Sequence, residues 1–213
     1  MAVMQLEVQD VTVRFGARTV LDRVTATFVA AHVTALVGPS GSGKSTLLAA
    51  LAGYQKCDAG SVSVVTDNAV TGPDAGLIAW VPQGSNALGT RTALDNVMIA
   101  PLSEGKDLAT ARKVALQALA DVGLAELAGQ RAGKLSGGEL QRVSFARALA
   151  TTKPFIFADE PSASLDAANT ELLGGLLFRL RTRATIIVAT HDPILIEAAE
   201  AVVHLRAEHG HAA

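Results

Sequence analysis

Hydrophobic and polar positions in this chain follow three rhythms. Residues 6–13, Leu-Glu-Val-Gln-Asp-Val-Thr-Val, alternate with a period close to two, as a half-buried antiparallel strand does, and Phe15-Gly16 closes the run. Residues 20–29 read as a second strand, and residues 61–65 and 77–81 as further strands. Residues 155–158 are a continuous apolar run, the pattern of a parallel strand covered on both faces, and residues 33–37 and 185–189 read as further short, buried strands. The third rhythm is helical. Leu47, Leu48 and Leu51 mark one helix, residues 92–98 a short one, and Leu108, Ala111, Ala115, Leu119 and Val122 another, with Gly123 as the residue past its C-cap. Leu140, Val143, Ala146 and Ala150 mark a fourth. Leu173, Leu176, Leu177 and Leu180 form the core stripe of a fifth, with Arg179, Arg181 and Arg183 at a solvated end. Trp80 reads as a core residue, and the tail that carries His204, His209 and His211 as loose and solvated.

Strands alternating with helices predict an α/β fold with a mainly parallel central sheet and an N-terminal antiparallel β part. Between Gln83 and Leu135 the pattern is helical, which predicts an inserted lobe over residues 84–151. Residues 1–83 and 152–213 would form the core, so that 1–213 is a single domain. With 49% hydrophobic residues the chain can bury a sizeable core, and no apolar run approaches the length of a membrane span. The N-terminal residues lack a basic stretch followed by an apolar one, so no signal peptide is expected. Cys57 is the only cysteine, which rules out an internal disulfide and fits a reducing compartment. A net charge of −2 does not suggest a nucleic-acid binder.

Four stretches carry chemistry. Gly38-Pro39-Ser40-Gly41-Ser42-Gly43-Lys44-Ser45-Thr46 follows a strand and opens a helix. That is the setting of a phosphate-binding loop: successive backbone N–H groups wrap phosphates, Lys44 reaches the β- and γ-phosphates, and Ser45 can ligate Mg²⁺. Asp159-Glu160-Pro161 ends a buried strand. Adjacent carboxylates there repel and need a cation or strong hydrogen bonds. With a phosphate loop upstream, Asp159 reads as a Mg²⁺ ligand and Glu160 as a group able to act on an attacking water. Leu135-Ser136-Gly137-Gly138-Glu139 opens a helix with a capping box between Ser136 and Glu139, yet spends two glycines on the first turn. Bare N–H groups at a helix N-terminus are an anion receptor. Gln83 and His191 each follow a strand, and ligands of parallel sheets gather at the carboxyl ends of strands, which would bring both beside Asp159. Phe15, taken alone, is a core or edge aromatic.

The order of these stretches, together with the LSGGE sequence at 135–139, resembles the ATP-binding cassette ATPases over nearly the whole chain, from about residue 6 to 205. There is no Asn-Lys-x-Asp base-reading motif of the GTPase kind. The resemblance implies an ATPase with ATP and Mg²⁺ as its ligands. It makes Phe15 the aromatic that stacks on adenine, residues 38–46 the Walker A loop, and Gln83 the residue that contacts Mg²⁺ or water and reports to a membrane partner. Ser136, Gly137 and Gly138 become the signature that holds the γ-phosphate, and Asp159 the metal carboxylate. Glu160 becomes the general base, Asp166 a residue that communicates across a dimer, and His191 the switch histidine. It further implies a head-to-tail homodimer with ATP at the interface and a separate transmembrane permease subunit at the cytoplasmic face of a membrane. The short length resembles cassettes of lipoprotein-release, macrolide-export and haem-export systems, and so suggests export or extraction of an amphiphile. The competing expectation is a soluble cassette ATPase in translation or DNA repair, members of which usually carry two cassettes or a long coiled-coil insertion.

Overall fold

A computed structural model describes residues 4–206. Strands β1 (Met4–Phe15) and β2 (Arg18–Phe28) form an antiparallel hairpin that turns at Gly16, φ 61°. β3 (Val33–Val37) leads through the phosphate-loop sequence into α1 (Lys44–Leu51). β4 (Ala59–Thr66) returns to pair with β1, and β5 (Ala69–Thr71) pairs with β4, which gives an antiparallel sheet in the order β2-β1-β4-β5. After β6 (Ile78–Val81) come α2 (Ala93–Ser103), α3 (Leu108–Asp121) and α4 (Gly137–Leu149). The chain then completes a parallel sheet with β7 (Phe155–Asp159), α5 (Ala167–Leu180), β8 (Thr185–Thr190), α6 (Pro193–Glu197) and β9 (Ala201–His204). Its strand order is β6-β7-β8-β3-β9, and every pair is parallel.

The apolar runs explain this architecture. Along β7, Phe155 and Phe157 belong to a core shared with α1 and the antiparallel sheet, where they meet Leu6, Leu36, Leu47 and Ile187. Ile156 and Ala158 point the other way, into a core with Val97, Phe145, Leu176 and Val188. A strand with partners on both faces must be apolar at every position, whereas β1 needs apolar residues mainly on its covered face. Register then sets the site. Val37 of β3 lies opposite Thr190 of β8, and Asp159 of β7 opposite Ala189, so the carboxyl ends of three strands finish at one level.

Several elements depart from the sequence expectation. β5 was not foreseen; three exposed residues, Ala-Val-Thr, carry too short a pattern to announce a strand. α2 continues past Met98 to Ser103 and accommodates Pro101 in its last turn, where a missing N–H leaves only one carbonyl short of a partner. The tail is not wholly loose: Ala201–His204 adds β9 to the edge of the parallel sheet, while His209 and His211 lie outside the described residues. The arginines at the end of α5 are not simply solvated. Arg181 pairs with Glu200 at 3.1 Å and lies 3.7 Å over the Phe178 ring, and Arg183 pairs with Asp121. Gly123 does end α3 as expected, with φ 73° and a Leu124 N–H to Leu119 carbonyl bond of 2.8 Å, a Schellman closure.

One polar contact ties the end of α4 to the connection that follows β6. Arg147, in the last turn of α4, donates through Nη1 to Asn86 Oδ1 at 2.8 Å, and Asn86 sits in the connection that begins at Gln83. Burial lowers the Arg147 pKa, and its Nε and Nη2 are buried without a partner among the described residues. An Asn side chain therefore holds a largely desolvated guanidinium by a single bond.

Candidate active site

The phosphate-loop sequence forms its loop for reasons visible at single atoms. Gly41 and Gly43 have φ of 78° and 91°, a region where L side chains are strained. A Cβ on Gly43 would stand 2.6 Å from Leu21 Cδ2 and 2.9 Å from the Val20 carbonyl. A Cβ on Gly38 would stand 2.4 Å from Ser42 Oγ and 2.8 Å from the Leu205 carbonyl. Gly43→Ala thus meets both strain and backbone atoms that cannot withdraw, and should lose about 2–4 kcal/mol of stability, measurable by denaturant unfolding. Ser42 is buried, and its hydroxyl has no partner among the described residues.

Above this loop lies a cleft of about 470 Å³. It is lined by Ser40, Gly41, Gly43, Lys44, Ser45, Thr46, Gln83, Asp159, Glu160 and His191, together with Arg18, Val20 and Ala163. Residues from three strand ends and the loop are thereby collected in one place. Lys44 is almost fully buried at 7% exposure; its ammonium donates to the Gly38 carbonyl at 2.8 Å and the Pro39 carbonyl at 3.3 Å, and meets Glu160 Oε1 at 3.1 Å. Glu160 Oε2 accepts from His191 Nδ1 at 3.0 Å. A carboxylate can only accept, so His191 carries its proton on Nδ1 and leaves Nε2 directed elsewhere. Glu160 is thus a bridge between the loop lysine and the strand-end histidine. Its backbone has φ 44°, rare for a residue with a side chain, and is pinned by a 2.8 Å bond from its N–H to the Ala189 carbonyl. The Asp159 carboxylate makes no hydrogen bond among the described residues. Ser45 hydroxyl, Gln83 amide oxygen and Asp159 carboxylate offer the hard oxygen donors that suit Mg²⁺, an ion that takes one or two protein ligands and fills its shell with water and phosphate oxygens.

Ser136, Gly137, Gly138 and Asp166 are not in this cleft. Ser136 caps α4: its Oγ accepts from the Glu139 N–H at 3.3 Å, and Glu139 Oε2 accepts from the Ser136 N–H at 2.7 Å. Those bonds hold the Glu139 carboxyl below the usual glutamate range. The depressed value means that this contribution is present at neutral pH and fades as the pH falls through the glutamate range. The two glycines differ in kind. Gly137 is exposed, and a Cβ there would make only an ordinary contact, 3.6 Å, with the Ser164 carbonyl. Gly138 is buried, and a Cβ would stand 2.6 Å from Asn169 Oδ1. Gly138 therefore also answers to packing inside its own chain. Asn169 in turn donates to Asp166 Oδ1 at 2.9 Å, where Asp166 caps α5. The start of α4 and the start of α5 thus abut.

Phe15 lies at the hairpin tip, 53% exposed and outside the cleft lining. The neighbouring residues that do line it, Arg18 and Val20, escaped the sequence reading, as did Ala163. Only the pairing of Phe15 opposite Arg18 across the Gly16 turn betrays Arg18, and that pairing is a property of the hairpin rather than of any motif.

Comparison with known proteins agrees with this geometry. The family pattern described as ABC transporter matches residues 21–163. The chain is 41% identical over 200 residues to the phosphonates import ATP-binding protein PhnC 2 of Rhodopseudomonas palustris, which covers 88% of this chain and 70% of that one. It is 35% identical over 209 residues to the lipoprotein-releasing system ATP-binding protein LolD of Bacteroides fragilis, covering 94% of this chain and 97% of the relative. Among solved structures, the dimeric bacterial ABC transporter cassette MJ0796 superposes with a TM-score of 0.77 at 32% identity, over 94% of each chain. The same cassette has been seen in a post-hydrolysis state bound to ADP and Pi. A phosphate loop, a carboxylate bridge and a glycine-rich helix start in this order, and likeness of this extent, make the chain a member of the ABC transporter family, an ATP-binding cassette subunit that hydrolyses ATP.

Proposed function

We propose that the cleft over residues 38–46 holds ATP, and that the site is completed by a second copy of the chain packed head to tail. One observation carries this reading: Lys44, Ser45, Gln83, Asp159, Glu160 and His191 share one cleft, while Ser136, Gly137 and Gly138 at the start of α4 do not line it. A receptor that cannot serve its own cleft serves a neighbour's. In this arrangement Phe15 stacks on adenine, and the loop N–H groups with Lys44 hold the phosphates. Ser45, Gln83 and Asp159 would hold Mg²⁺, which neutralises charge on the β- and γ-phosphates when bound. Ser136, Gly137 and Gly138 of the partner subunit close over the γ-phosphate, and Asp166 lies where the two copies meet.

Glu160 takes the proton of the attacking water as its oxygen bonds to the γ-phosphorus, while the bond from that phosphorus to the β–γ bridging oxygen breaks and leaves ADP. His191, oriented by Glu160 through Nδ1, presents Nε2 to the water or the γ-phosphate. A phosphate that reaches Lys44 competes with Glu160 for the same ammonium, so nucleotide binding frees Glu160 for its proton transfer. Residues 84–151 would move as a lobe against the core formed by 1–83 and 152–213.

The ATPase drives a separate transmembrane subunit at the cytoplasmic face of a membrane; no helix among the described residues is long and apolar enough to cross one. Relatives stand on both sides of the direction question, with PhnC and the aliphatic sulfonates import protein SsuB 2 of Streptomyces avermitilis named for import and LolD for lipoprotein release. The match to LolD, which runs nearly end to end in both chains, favours release or export of an amphiphile. The test is to identify the polypeptide that co-purifies with this one. A membrane subunit with four spans and a large extracytoplasmic domain is the expected result. A many-spanning permease with a solute-binding protein would overturn the direction, and a ribosome or DNA-repair complex the transport role.

A further inference from the structure

The charges in the cleft do not suffice for its ligand. Asp159 and Glu160 bring two negative charges against the single positive charge of Lys44, and Lys44 is already paired with Glu160 and bonded to two carbonyls. Mg²⁺ apart, an entering polyphosphate meets side chains that are net negative unless another cationic side chain lies at hand. Arg18 is that cation. It lines the cleft from the start of β2, its Nη2 standing 3.9 Å from where a Cβ on Gly41 would be, at the phosphate-wrapping part of the loop. Among the described residues it has neither a carboxylate partner nor a side-chain hydrogen bond, whereas Arg23, Arg181 and Arg183 are each paired. The hairpin fixes its direction: Phe15 and Arg18 stand opposite each other across the Gly16 turn.

We propose that Arg18 is a substrate-binding residue that grips the polyphosphate of ATP and ADP from the Gly41 side of the loop. A guanidinium presents a planar fork of donors suited to two phosphate oxygens at once, which an ammonium cannot match. The same planar group cannot recognise the sugar or base in this way, so its contribution follows the phosphates and not adenosine. The proposal rests on the reading of the cleft as the nucleotide site, and the test separates the two.

Equilibrium binding of ADP, ATP and adenosine is measured for the wild type and for Arg18→Ala, Arg18→Lys and Lys44→Ala, with thermal melts as a check on folding. Arg18→Ala should weaken ADP and ATP about tenfold each and leave adenosine unchanged, with Arg18→Lys in between. The wild-type advantage should shrink as NaCl is raised, because the contact is exposed to screening. Unchanged ADP affinity in Arg18→Ala, or an equal loss for adenosine, overturns the proposal. So does unchanged ADP affinity with weakened ATP-dependent dimerisation, which would assign Arg18 to the second copy. If Lys44→Ala loses affinity while Arg18→Ala does not, the nucleotide site stands and Arg18 alone falls. If neither loses affinity, the reading of the cleft fails with it.

Discussion

Glu160→Gln should bind ATP more tightly than the wild type while its steady-state turnover falls by about 10²–10⁴-fold, the range that general-base help supplies. The two effects have one origin. In the protein, Glu160 Oε1 lies 3.1 Å from the Lys44 ammonium and Oε2 3.0 Å from His191 Nδ1. A glutamine is almost the same size and keeps one oxygen as an acceptor, so one arm of the bridge can persist. The amide carries no charge, however, and holds Lys44 less strongly against an incoming phosphate. Nor can it accept the proton of the attacking water. Bound ATP then persists, and the ATP-closed dimer should accumulate on size exclusion with light scattering. Turnover near the wild-type rate would remove Glu160 from the chemistry. Looser ATP binding would mean that the Lys44–Glu160 contact helps the nucleotide rather than competing with it.

Gly137→Asp separates what the start of α4 does for its own chain from what it does for another. A Cβ at Gly137 has room, and an acidic residue in the first turn of a helix is favoured by the backbone dipole by about 0.3–1 kcal/mol. The variant should therefore melt at the wild-type temperature or above it and should bind ATP as a monomer like the wild type. The same carboxylate would face the γ-phosphate of a neighbour's nucleotide. ATP-dependent dimerisation should disappear and turnover should fall by at least about 10²-fold, as when a preorganised donor to a developing charge is lost. A variant that is destabilised would show that Gly137 serves its own fold. A stable variant with full turnover would show that the helix start receives no phosphate.

The core of the fold was open to reading because its demands are local. A run such as Phe155-Ile156-Phe157-Ala158 has no polar face to offer water, and the loop from Gly38 to Thr46 needs its glycines wherever it occurs. Features that depend on which strands become neighbours were closed to it. Nothing in the sequence places His191 and Lys44 on the two oxygens of Glu160; that follows from β7 and β3 flanking β8. Arg18 was missed for the same reason, since hairpin pairing and not motif spacing aims it at the loop. The packing demand on Gly138 was closed to it too, because the atom that would exclude a Cβ belongs to Asn169, on a different helix. β9 was hidden because four residues at an edge need no distinctive pattern.

The bond from Arg147 to Asn86 gives α4 a mechanical character. A helix of 13 residues is a nearly inextensible rod about 20 Å long. One end abuts the cap of α5 through Gly138 and Asn169, and the other is tethered to the connection that starts at Gln83. A pull on that connection cannot be absorbed by stretching the helix, so it tilts or shifts the glycine end. In the proposed head-to-tail dimer, force applied at one nucleotide's glutamine would thereby be delivered, within a single rigid element, to the lid of the other nucleotide.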